Sequence, residues 1–98
     1  MLRLVKITGQ SMSPTLNDGD YVITKKPRLY QAGLIYVINH IDLGRIIKRL
    51  QSTKHDRCYF IGDNPKASTP SSLIGAVERE RVIGQVIYVI GPKGLRRP

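Results

Sequence analysis

The sequence predicts a mainly β protein, folded as one small domain of curved, barrel-like sheet. Two observations carry this expectation. Short strand-length runs of apolar and β-branched residues are each closed by Gly, Pro, Asn or Asp. No segment repeats apolar residues at the spacing that a long helix needs. Such a pattern belongs to packed, curved sheets rather than to helix layers.

The elements follow in order. Residues 2–8 read as a strand with Leu2, Leu4 and the stem of Lys6 on one face. Ser13 and Pro14 suit the cap and first position of a single helical turn ending at Leu16. The turn Asn17-Asp18-Gly19-Asp20 leads into a strand over residues 21–25. Residues 34–39 and 45–50 form two arms of a hairpin around Ile41-Asp42-Leu43-Gly44. A short strand over 57–61 ends at Gly62-Asp63-Asn64-Pro65, and residues 68–75 read as a loop or short turn. The last strand, residues 82–90, is apolar nearly throughout, as a strand buried on both faces would be.

Composition narrows the function. A chain of 98 residues, 41% hydrophobic and 23% charged, fits one globular domain, here assigned to 1–92 with a mobile basic tail over 93–98. One cysteine, Cys58, excludes an intrachain disulfide, and with only His40 and His55 beside it no structural zinc set is expected. No cofactor or metal is expected. No apolar run approaches the roughly 20 residues that cross a bilayer. The N-terminus alternates apolar and basic residues, unlike a secretory signal. A soluble, cytoplasmic chain is expected, with peripheral membrane contact left open. Sixteen Lys and Arg against seven acids give a net charge of +9. That excess suits an acidic partner: nucleic acid, an anionic lipid surface or an acidic substrate. A basic surface without a specific partner fits equally well, because the charge is scattered.

Three segments stand out chemically. Ser11 follows a strand and Gly9 and precedes the helical turn, a junction that exposes a side chain and aims backbone N–H groups beside it. A plain turn serine has the same context. Lys48 shares a strand face with Ile46 and Leu50, while Ile47 and Arg49 share the other. Turned inward, its amine would lose hydration and become a neutral base. Turned outward, it would be an ordinary surface lysine, and the pattern leaves both faces open. The third segment is Gly62-Asp63-Asn64 with Ser68. His40 and His55 read as solvated loop residues without the context of a catalytic base. Cys58, mid-strand, reads as a small core residue.

Together these segments resemble the serine-lysine peptidases, which include bacterial signal peptidase I and the self-cleaving LexA-type repressors. Gly9-x-Ser11-Met12-x-Pro14-Thr15-Leu16 with Gly19-Asp20 looks like the nucleophile box. Lys48-Arg49 looks like the base box, and Gly62-Asp63-Asn64 with Ser68 like the third box of the signal-peptidase branch. The resemblance implies that Ser11 attacks the scissile carbonyl and Lys48 serves as base. It implies that Ser68 orients the Lys48 amine by a hydrogen bond, that Met12 packs under the nucleophile, and that Asp63 and Asn64 shape the supporting turn. Two departures stand out. Gly9 replaces a serine that supplies an oxyanion donor in some members. Pro70 replaces a carboxylate that pairs with the arginine after the base, so Arg49 is expected to lose its partner.

The run Gly62-Asp63-Asn64-Pro65-x-Ala67-Ser68-Thr69 also resembles the small maturation proteases of nickel-type superoxide dismutase. That similarity implies a protein or propeptide substrate, here the superoxide dismutase precursor. Two other functions are weighed. A LexA-like self-cleaving module is disfavoured by the lack of a linker cleavage site and of a helix-turn-helix pattern. A nucleic-acid-binding domain is disfavoured because the six aromatics form no stacking pattern with the basic residues.

Overall fold

The computed structural model describes residues 1–98. Its strands are β1 (Arg3–Lys6), β2 (Tyr21–Lys25), β3 (Ile35–His40), β4 (Gly44–Lys54), β5 (Arg57–Ile61), β6 (Ala76–Glu78), β7 (Val82–Gly91) and β8 (Gly94–Arg96). A single helical turn, α1 (Ser71–Ile74), precedes β6, and a 3-10 turn (Arg79–Arg81) follows it. All eight strands join one antiparallel sheet in the order β1-β2-β7-β3-β4-β5-β6, with β8 pairing to β7. The sheet curves without closing, since β1 and β6 end the path unpaired to each other. The mainly β expectation holds. No helix is long and apolar enough to cross a membrane.

Alternation along β3 divides the core. Ile35 and Val37 pack with Val5, Ile7, Met12, Leu16 and the strands around them. Tyr36 and Ile38 pack on the opposite face with Leu50, Phe60, Ile74 and their neighbours. The strand buried on both faces is therefore β3. In β7, Ile83 remains 45% exposed. The expectation for the last strand was too strong because apolar composition does not say whether both faces are covered: β7 lies between β2 and β3, yet only Val82, Gly84, Val86 and Val89 are buried in it.

Three other expectations need correction. In β1 the buried residue is Val5, and Ile7 beyond it is buried too, while Leu2 and Leu4 face solvent. Both faces of that run are apolar, so a period of two could not choose between them. The turn after β1 has a cis Ser13–Pro14 peptide. Leu16 N–H reaches the Met12 carbonyl at 2.9 Å, but the Ser13 hydroxyl bonds the Asn17 side chain and caps nothing. Part of the basic tail is ordered: Leu95 pairs with Ile90, and Arg96 donates to the Thr15 carbonyl at 2.6 Å. Gly94, at a φ of 103°, makes that hairpin turn feasible.

Two open edges prepare the site. β1 has β2 on one side only. β4 pairs with β5 only from Arg49 onward, so residues 44–48 project past their neighbour. Their backbone groups on that edge have no strand beside them.

Candidate active site

The turn after β1 is fastened from below by the segment 62–68. The Ser11 carbonyl accepts the Asn64 N–H at 2.9 Å and the Ser68 hydroxyl at 2.8 Å. The Asn64 side-chain amide donates to the Gln10 carbonyl at 3.0 Å. Met12 is 3% exposed beneath the turn, and its Sδ accepts the Asp63 N–H at 3.4 Å. These bonds fix the backbone on both sides of Ser11. The Ser11 N–H itself donates to no group in the chain. Ser68 therefore grips the turn that carries Ser11 instead of orienting Lys48, because its hydroxyl reaches the Ser11 carbonyl and makes no bond to the amine.

Lys48 turns inward. It is 3% exposed, beside Tyr36 in the β3–β4 register and two residues from the buried Leu50. Burial strips water from the ammonium, so its pKa is lowered from the ordinary lysine value. No carboxylate pairs with it. No side-chain polar atom is both sealed off and unpartnered, so this unbonded amine opens to a cavity. That cavity, about 180 Å³, is lined by Val5, Ile7, Ser11, Met12, Ile47 and Lys48 among others. Ser11 and Lys48 thus share one small, half-apolar space, though no hydrogen bond yet joins hydroxyl to amine. Their strands are not neighbours in the sheet, and it is the sheet's curl that brings β1 and β4 to opposite walls.

Arg49 has a partner after all. Its Nε and Nη2 donate to the two Asp63 oxygens at 2.8 and 2.6 Å, and it also donates to the Gly33 carbonyl. Thr15 donates its hydroxyl to Asp63 at 2.7 Å. Asp63, not a residue at position 70, supplies the carboxylate, and it ties the turn that carries Ser11 to the strand that carries Lys48. The two-pronged bond from Arg49, aided by Thr15, holds the Asp63 carboxyl below the usual aspartate range, and the carboxylate raises the Arg49 pKa.

Asp63→Asn is expected to destabilise the fold by about 1–2 kcal/mol at neutral pH. The sign follows from the depressed carboxyl pKa. The stabilisation is complete above the unfolded aspartate value, about pH 4, and is lost as pH falls through the lower folded value. Urea unfolding of both proteins should show the gap closing only in acid.

The other candidates are resolved by burial. His40 is buried, not solvated: its Nδ1 accepts the N–H groups of Asp42 and Leu43, and its Nε2–H donates to the Ile74 carbonyl at 2.8 Å. Both nitrogens are engaged, so it holds a turn and is no base for Ser11. His55 is exposed in the β4–β5 turn at a φ of 50°. Cys58 is fully buried, and burial pushes its thiol pKa up, as suits an inert core residue. Gly62 contributes by having no side chain. A Cβ at Gly62 would meet Ser68 Cβ at 2.6 Å and the Ser11 carbonyl oxygen at 3.0 Å. Its place in the third motif was the available signal.

A family model described as Peptidase S24-like matches residues 1–87. The chain belongs to this family. The match spans Ser11, Lys48 and the segment 62–68, and it runs into β7. No curated protein matches the chain in a sequence comparison.

Proposed function

We propose that this protein is a serine endopeptidase with a Ser11–Lys48 dyad. The observation that carries the reading is the shared cavity, in which the buried Lys48 and the turn residue Ser11 are both wall residues. An uncharged Lys48 amine takes the proton as Ser11 Oγ attacks the scissile carbonyl. The oxyanion forms within reach of the unpartnered Ser11 N–H, the donor left by glycine at position 9. The Lys48 ammonium then gives its proton to the leaving amine, which releases one product and leaves an acyl-serine. Water attacks the ester with the regenerated amine as base, and Ser11 is restored.

The substrate lies extended between the open edge of β1 and the projecting end of β4, adding main-chain hydrogen bonds to a strand edge. The finer reading is removal of an N-terminal propeptide. A nickel-type superoxide dismutase precursor is the substrate suggested by the sequence of residues 62–69.

Ser11→Ala should lower cleavage of that precursor by about four orders of magnitude. Wild-type kcat/KM should rise with pH as Lys48 loses its proton, with the limb below the ordinary lysine range because burial lowers the pKa. Mass spectrometry of the products and a pH–rate series read both effects. Equal cleavage by wild type and Ser11→Ala would reject the mechanism.

A further inference from the structure

The Ser11–Lys48 cavity does not end at the dyad. It adjoins a second cavity through the shared residues Val5 and Arg45, and that one adjoins a third through Arg3, Thr24 and Ile83. The three make a trough whose walls are β1 and β4 near Ser11 and whose far end opens to about 530 Å³. Its charge is one-sided. Lys6 and Arg45 line the near part, and Arg3, Lys25, Lys26 and Arg79 line the far end. The one acid among the far-end lining residues is Glu80.

The far end is also partly organised. The Arg79 guanidinium lies 4.9 Å from the Tyr30 ring centroid, and Tyr30 stacks on the buried Tyr36. Stacking restrains the guanidinium plane and leaves its N–H edge usable by a carboxylate. Asp56 touches it only weakly, at 3.7 Å from a largely exposed position.

We propose that the trough selects substrates with acidic side chains about four to six residues from the scissile bond, on one side only. The spacing follows from strand geometry: residues 3–8 span about 17 Å, which an extended substrate alongside covers in about five residues. The inference rests on the peptidase reading for its cleavage test and stands apart from it in a binding test. It also gives the +9 charge a purpose, since an acidic segment is drawn to this trough from solution. A nucleic acid is the less suitable occupant, because the trough is bounded by strand edges that pair with a peptide backbone.

The test has two arms. In the first, the full chain digests a proteome-derived peptide library, with Ser11→Ala as control, and new termini are read by mass spectrometry. Asp and Glu should be enriched about four to six residues to one side of Ser11-dependent cuts. A Lys25→Ala/Lys26→Ala/Arg79→Ala variant should cleave acid-bearing peptides about tenfold less well and acid-free peptides equally well. Ser11-dependent cuts without that enrichment would overturn the inference and leave the peptidase standing.

In the second arm, a peptide of four alanines followed by two glutamates is titrated into Ser11→Ala and followed by NMR. Shifts at Arg3, Lys25, Lys26 and Arg79 that fade with salt support the site even if no cleavage is seen, in which case the peptidase reading alone fails. An absence of shifts overturns the site. Larger shifts with a thymidine dodecamer than with the peptide, at equal salt, overturn it in favour of nucleic acid.

Discussion

Replacing Lys48 with methionine is expected to lower peptide hydrolysis by about four orders of magnitude while making the protein more stable. Methionine keeps most of the aliphatic stem and removes the amine, so the wall of the cavity survives and the proposed base does not. The stability gain follows from burial. Lys48 is 3% exposed and has no carboxylate beside it, so its ammonium is costly to enclose. The folded pKa is therefore lowered, while the unfolded lysine keeps its ordinary value of about 10.4.

Between those two values the unfolded chain binds more protons than the folded one. Wild-type stability therefore rises with pH across that window. The variant lacks this slope. Its advantage, about 1 kcal/mol, should be fully present below the lowered folded value and vanish as pH nears the unfolded lysine value. Urea unfolding at several pH values checks it. A variant that is both inactive and less stable than wild type at neutral pH would mean that the stem's packing, not the amine's dehydration, dominates at this position.

Gly62→Ala should disable the site by a different route. The added Cβ would lie 2.6 Å from Ser68 Cβ, an atom that no rotamer change can move. It would also lie 3.0 Å from the carbonyl oxygen of Ser11. The segment carrying Ser68 must retreat, and the bond from its hydroxyl to Ser11 is lost. Overpacking of this kind costs about 1–3 kcal/mol. Displacing Ser11, the proposed nucleophile, by even about 1 Å is expected to cost about a hundredfold in kcat/KM. Gly62→Ala combined with Ser68→Gly removes the worst collision and should recover much of the stability. Because Ser68→Gly still lacks the bond to Ser11, activity should recover less. Unfolding curves and kcat/KM for the three variants separate the two effects.

Much of this was legible in the residues, and the failures have physical causes. Strand positions could be read because turn residues punctuate the chain: β2 and β5 match the expected runs, and the β3–β4 hairpin is displaced by a residue or so at its turn. The face of β1 could not be read, because Leu2 and Leu4 compete with Val5 and Ile7 for the interior. Lys48 was ambiguous for the same reason, with an isoleucine on each face of β4. Its direction became fixed only through Tyr36 and Leu50, whose burial depends on the whole sheet.

The role of Asp63 needed the third dimension. Sequence adjacency to Asn64 suggested a turn residue, whereas the fold sets its carboxylate against Arg49, fourteen residues earlier in the chain. His40 shows the same limit: a residue at the end of β3 beside a turn looks solvated until α1 is placed over it. The trough was invisible in the sequence because its cations come from β1, β2, β4 and the segment before β7 and are joined only by the sheet's curvature.

The proposed dyad depends on one lysine amine that burial makes readier to give up its proton. NMR titration of lysine Cε resonances in the full chain tests this directly, with Lys48→Met assigning the signal. Lys48 is expected to lose its proton at a distinctly lower pH than every other lysine in the chain. Titration of Lys48 together with the surface lysines would contradict it.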